Sequence, residues 1–193
     1  MNTETPVTDV DFTAFDFETT GLHSASDRIV EFGAVRFRGS EVLADFGTLA
    51  NPGIPIGAEA GAVSGISDAD VSGAPPVGSI LPGFVEFLGE TVLIAHNAPF
   101  DLGFLRAAVQ ESGLPEIRNV VIDTQLLAIK AFPKRKSYAL QNLATELNLP
   151  RNRAHRAKDD AEMCMKLFLA CVEALSFMGD LPLSEVLTGP WNG

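Results

Sequence analysis

Apolar positions recur with a period of two near the start of the chain and with helical periods further on. Phe12 to Phe17 reads as a Phe-rich strand, and Arg28 to Arg38 as a second through I-V-E-F-G-A-V-R-F. Glu41 to Ala50 makes a third, joined to the second by a short hairpin at Gly39 and Ser40. From Asn51 to Pro82 the density of Gly, Pro, Ser and Asp predicts an irregular connection with one short helical turn. A helix is expected near Ile80 to Gly89, a buried strand over Thr91 to Ala95, and a helix over Pro99 to Ser112 with proline at its start, where the missing N–H costs nothing. A last strand, Val120 to Ile122, precedes helices over Thr124 to Ala131, Tyr138 to Leu147 and Ala157 to Leu175. This order predicts an α/β fold, a mixed sheet flanked by helices, over residues 12–175. Residues 1–11 and 176–193 read as tails.

At 193 residues the chain can bury a substantial core as one domain. Cys164 and Cys171 lie about two turns apart on one face of the last helix, too far to bridge, and read as packed small hydrophobes. The opening residues lack the basic start and apolar core of a signal peptide, and no stretch reaches the ~18 apolar residues of a membrane span, so a cytoplasmic location is expected.

The net charge of −11 argues against a polyanionic partner, until its distribution is considered. Lys130, Lys134, Arg135, Lys136, Arg151, Arg153, Arg156 and Lys158 face only Glu146, giving +7 between residues 130 and 158 and −18 elsewhere. Either this run is a solvated surface or it is a track for phosphates.

Candidate chemistry begins with D-F-E. In a strand Asp16 and Glu18 project to one side and Phe15 and Phe17 to the other. Adjacent carboxylates repel unless a cation lies between them, and hard divalent ions such as Mg²⁺ or Mn²⁺ meet that need. Asp101 falls on the same helix face as Phe104, Leu105 and Ala108; Asp160 falls amid Met163, Cys164, Leu167 and Cys171. Burying such acids without a cation is costly, which points to a shared metal site. His155 adjoins Asp160 at the helix entrance, and imidazole suits proton abstraction near neutral pH.

The motifs F-D-F-E-T-T-G (Phe15 to Gly21), H-N-A-P-F-D (His96 to Asp101) and H-R-A-K-D-D (His155 to Asp160) resemble the three motifs of the DEDDh family of 3′-to-5′ exonucleases, most of all its branch of bacterial DNA polymerase III proofreading ε subunits. V-I-D-T (Val121 to Thr124) resembles the family's junction between the second and third motifs, while Ser64-Gly65 stands where relatives of that branch commonly carry His-Gly. The resemblance implies a ribonuclease-H-like fold and two divalent ions. Asp16 would bridge the ions, Glu18 and Asp160 would hold one, Asp101 would position the other, and His155 would be the general base. It also implies a pocket for the terminal nucleotide at Thr19 and Thr20. Phe100 and Phe104 are candidate wedges or core, and Lys134, Arg135, Lys136 and Arg156 are candidate phosphate contacts. The implied substrate is a single-stranded or frayed 3′ end, DNA favoured over RNA, with a DNA polymerase as a further candidate partner. An RNA-trimming enzyme and a non-cutting 3′-end binder are the alternatives.

Overall fold

The computed structural model describes residues 2–150, 155–176 and 179–189. Its strands are β1 (Asp11–Thr19), β2 (Ile29–Arg38), β3 (Glu41–Leu49), β4 (Val92–Ala95) and β5 (Val121–Asp123). They form one mixed sheet in the order β3-β2-β1-β4-β5, antiparallel from β3 to β1 and parallel from β1 to β5. The hairpin at Gly39 turns through a positive φ of 54°.

Period-two alternation gives the sheet two apolar faces. On one, Phe12, Ala14, Val35 and Phe37 pack under α7 (Ala157–Leu175), with contributions from α5 (Thr124–Ala131) and α6 (Leu140–Glu146). On the other, Phe15, Phe17, Phe32 and Ala34 pack under α3 (Val77–Leu88) and α4 (Ala98–Glu111). Both cysteines are free and buried.

The connection expected to hold one helical turn contains two short helices, α1 (Ala58–Ser64) and α2 (Asp68–Val71), and α3 begins at Val77. Local capping explains the first difference: Ser67 and Asp70 exchange hydrogen bonds around the start of α2. Packing explains the second, since Ile80, Leu81, Phe84 and Leu88 are buried and carry the helix through Pro82.

The terminal stretches expected as irregular tails pack on this core. Pro6 bridges Pro182, the Val7 N–H donates to the Leu181 carbonyl (2.8 Å), and Val7, Leu183 and Val186 join the cluster under α7. Among the described residues no helix is long and apolar enough to cross a membrane.

Candidate active site

β1 outruns its parallel neighbour. Its last partner in β4 is at Ala14, whereas its pairing with β2 continues through Asp16↔Gly33 and Glu18↔Glu31. The two acids therefore stand at the open carboxyl end of β4, on the face covered by α7. There the chain turns through Asn97, held left-handed at φ 58°, into α4. The Asp123 carboxylate fixes this turn by accepting the N–H groups of Asn97 (3.1 Å), Ala98 (3.2 Å) and Gln125 (2.8 Å). Asp101, in the first turn of α4, is 3% exposed, and its Oδ1 accepts the N–H of Phe17 at 3.0 Å. That amide lies between Asp16 and Glu18.

The third wall is the start of α7. A Cβ on Gly33 would lie 2.0 Å from the carbonyl carbon of Ala157, so only glycine opposite Asp16 lets the helix approach this closely. Glu31, in the same strand, accepts the Ala157 N–H (3.0 Å) and grips Arg156 (2.6 Å). Asp160 is then anchored through Oδ1 by the Gln141 amide (2.6 Å) and through Oδ2 by the His155 N–H (2.8 Å). His155 is exposed, with φ 61°, just ahead of the helix. Ligand atoms of Glu18, His155 and Asp160 lie within 4.8 Å of one another.

Electrostatics mark the cluster as incomplete. Burial, and then repulsion from Asp101, Asp160, Glu18 and Glu31, push the Asp16 carboxyl well above its ordinary range. Burial raises Asp101 to about 8 against the opposing Phe17 hydrogen bond. Burial, Asp160 and Glu31 raise Glu18 to about 7, and burial also raises Asp160. Carboxylates that disfavour their own ionisation, each with oxygen lone pairs to spare, fit a hard divalent cation.

Beside Glu18 opens a cavity of about 710 Å³ lined by Thr19, Thr20, Leu22, Val63 and Phe100. Both threonine hydroxyls have internal partners, Thr19 donating to the Gly21 carbonyl (2.6 Å) and Thr20 accepting the Arg28 N–H (3.0 Å), so they shape this wall as well as line it. Phe100 is half-buried at the cavity; Phe104, 3% exposed, is core and lines a different cavity. Ser64 is buried, bonded to the Ala60 carbonyl and the Ile66 N–H. His96 is held between the Thr124 hydroxyl (2.9 Å) and the Tyr138 carbonyl (2.8 Å), in a structural role.

The basic run is less free than its sequence suggests. Lys130 pairs with Glu185, Arg135 with Glu146, Arg156 with Glu31 and Lys158 with Asp45. Lys134 and Lys136 are exposed and form no ion pair among the described residues. Arg151 and Arg153 lie outside the described residues. Sequence reasoning missed Glu31, Gly33, Gln141 and Asp123. A lone acid within the apolar run I-V-E-F-G was the available signal for Glu31, on the same argument that singled out Asp101.

Comparison with known proteins extends this geometry. The RNase_T family model, described as Exonuclease, matches residues 13–168. The chain is 41% identical to the DNA polymerase III subunit epsilon of Treponema pallidum across 84% of this chain and 77% of that protein. It is 36% identical to the PolC-type DNA polymerase III of Caldanaerobacter subterraneus across 91% of its own length, but spans only 12% of that protein. Among solved structures, exonuclease X in complex with 5′ overhanging duplex DNA superposes with a TM-score of 0.71 at 25% identity, covering 92% of this chain and 97% of that one. A match that begins in β1 and ends inside α7, and so takes in every element that brings the carboxylates together, makes the chain a member of the exonuclease family and hence a nuclease.

Proposed function

We propose that residues 12–175 form a metal-dependent 3′-to-5′ exonuclease that shortens DNA one nucleotide at a time, acting in the cytoplasm on single-stranded or frayed ends. The observation that carries this is the gathering of Glu18 and Asp160 beside the exposed imidazole of His155, with Asp16 and Asp101 close enough to act on the same cluster and an open pocket alongside. A module that only bound a 3′ end would have no use for four acids that raise the cost of one another's ionisation.

Asp16, Glu18, Asp101 and Asp160 would hold two Mg²⁺ or Mn²⁺ ions, which when bound offset the charge of the cluster and of the scissile phosphate. His155, exposed at the rim, takes a proton from the attacking water. The water oxygen bonds to phosphorus as the bond to the penultimate 3′ oxygen breaks, releasing a 5′-mononucleotide and a new 3′-hydroxyl. Asp160, through the His155 N–H, keeps the base next to the acids. Thr19, Thr20 and Phe100 form the wall against which the terminal nucleotide rests, and Lys134 and Lys136 face the strand further back. DNA is favoured over RNA because of the similarity to a polymerase III epsilon subunit and to exonuclease X, and the same similarity makes a replicative polymerase the expected partner.

The test is a single assay with 5′-labelled single-stranded DNA, mismatched duplex DNA and RNA, each with Mg²⁺ or with chelator. Progressively shortened labelled DNA, only with metal, is expected. Direct release of a labelled mononucleotide would overturn the polarity, and faster degradation of RNA would shift the assignment to an exoribonuclease.

A further inference from the structure

Glu31 is an acidic residue in an apolar strand, only 6% exposed. It faces the same side of the sheet as Glu18, its partner in the β1–β2 register. Three hydrogen bonds from Arg156 converge on its carboxylate, from Nη2 at 2.6 Å and from Nε at 3.1 Å to each oxygen. A fourth comes from the Ala157 amide at 3.0 Å. One side chain thus pins both the first residue of α7 and the guanidinium next to His155. Besides Glu31, the acids that act on Arg156 include Asp159, Glu18 and Asp70.

A guanidinium matches a carboxylate in shape and charge, and one resting on Glu18 would occupy the oxygens a metal ion needs. Glu31 stands between those outcomes. We propose that Glu31 is a positioning residue for the metal-binding acids: it holds Arg156 and the start of α7 so that Glu18, His155 and Asp160 converge, with Glu18 left open to a cation. This rests on the metal-dependent reading of the site. Neutralising Glu31 would free one positive charge beside Glu18 without removing any ligand, so the loss should appear in metal binding and should be reversed by removing that charge.

The experiment compares the full chain with Glu31→Gln, Arg156→Lys and the double variant Glu31→Gln/Arg156→Gln, reading Mn²⁺ binding by electron paramagnetic resonance alongside kcat and KM on single-stranded DNA. Glu31→Gln is expected to weaken Mn²⁺ about 10-fold and lower kcat at fixed Mn²⁺ similarly, with KM within about twofold of wild type. Adding Arg156→Gln should restore Mn²⁺ binding to within about threefold of wild type, which lost packing alone would not do. Arg156→Lys keeps both charges but not the planar grip, and should weaken Mn²⁺ about two- to threefold, so the proposal stays testable if Glu31→Gln fails to fold. Wild-type Mn²⁺ binding in both single variants, or a loss that Arg156→Gln does not reverse, overturns the role of Glu31. Absence of metal-dependent cleavage in the wild-type chain would instead overturn the exonuclease reading on which it rests.

Discussion

Asp101→Asn separates the charge of a proposed metal ligand from its shape. The asparagine carbonyl can still accept the Phe17 N–H that Asp101 Oδ1 accepts at 3.0 Å, so the β1–α4 contact survives. What disappears is a carboxyl that burial raises to about 8. Its folded-state value lies above its unfolded one, near 3.9, so the stabilisation is present below that lower value and is lost as pH rises towards 8. Glu18, raised to about 7, acts in the same direction. At about 1.4 kcal/mol per pH unit, Asp101 alone should cost the metal-free protein on the order of 3–4 kcal/mol between about pH 5 and pH 8. Asn cannot ionise and carries none of this. In chelator the variant should therefore melt above wild type at pH 8, by roughly 10 °C for a chain of this size, with the gap closing towards pH 5. Mg²⁺ should raise the wild-type melting temperature more than the variant's, and cleavage by the variant should be lost. Melting curves at several pH values, with and without Mg²⁺, give the comparison. Parallel pH dependences for the two proteins, or a variant less stable at pH 8, would refute the account of Asp101 as a charge held in readiness for a cation.

Three further outcomes follow from the site. His155→Ala should lower turnover by roughly 10²- to 10⁴-fold while Mn²⁺ binding changes little; undiminished turnover would make His155 structural. Lys134→Glu with Lys136→Glu should raise KM for single-stranded DNA and flatten the dependence of log K on log salt by about 0.7 per lost phosphate contact; an unchanged slope would leave these lysines as solvated surface. Gly33→Ala should lower stability to urea by about 1–3 kcal/mol and weaken Mn²⁺ binding, because the start of α7 must move away; wild-type values of both would remove the need for glycine opposite Asp16.

Much of this site was legible because its acids violate local patterns. Asp101 and Asp160 occupy apolar stripes, and D-F-E sets two carboxylates on one side of a strand; each is a periodic anomaly visible in one dimension. Glu31 carries the same kind of signal within I-V-E-F-G, but its meaning depends on cross-strand register with Glu18 and on Arg156, which is distant in sequence. Gly33 reads as an ordinary strand glycine until α7 is laid across it. The ion pairs within the basic run were hidden for a related reason, since periodicity does not show that Glu185, Glu146, Glu31 and Asp45 stand opposite four of its members. The short helices α1 and α2 escaped because reciprocal side-chain caps, rather than an apolar stripe, hold the second of them.

The bridge between Pro6 and Pro182, with Val7, Leu183 and Val186 beneath it, joins a segment ahead of β1 to one beyond α7 on the side of the sheet under α7. A domain clasped in this way, with the entry to its first strand beside the exit from its last helix, holds its sheet and its covering helix in one closed circuit. The same arrangement makes the clasp a natural place for tethering. A partner joined there would share the nuclease's motion while the carboxyl end of β1 stayed open, and the length of the joining segment, rather than any change to the acidic cluster, would set how often the two engage.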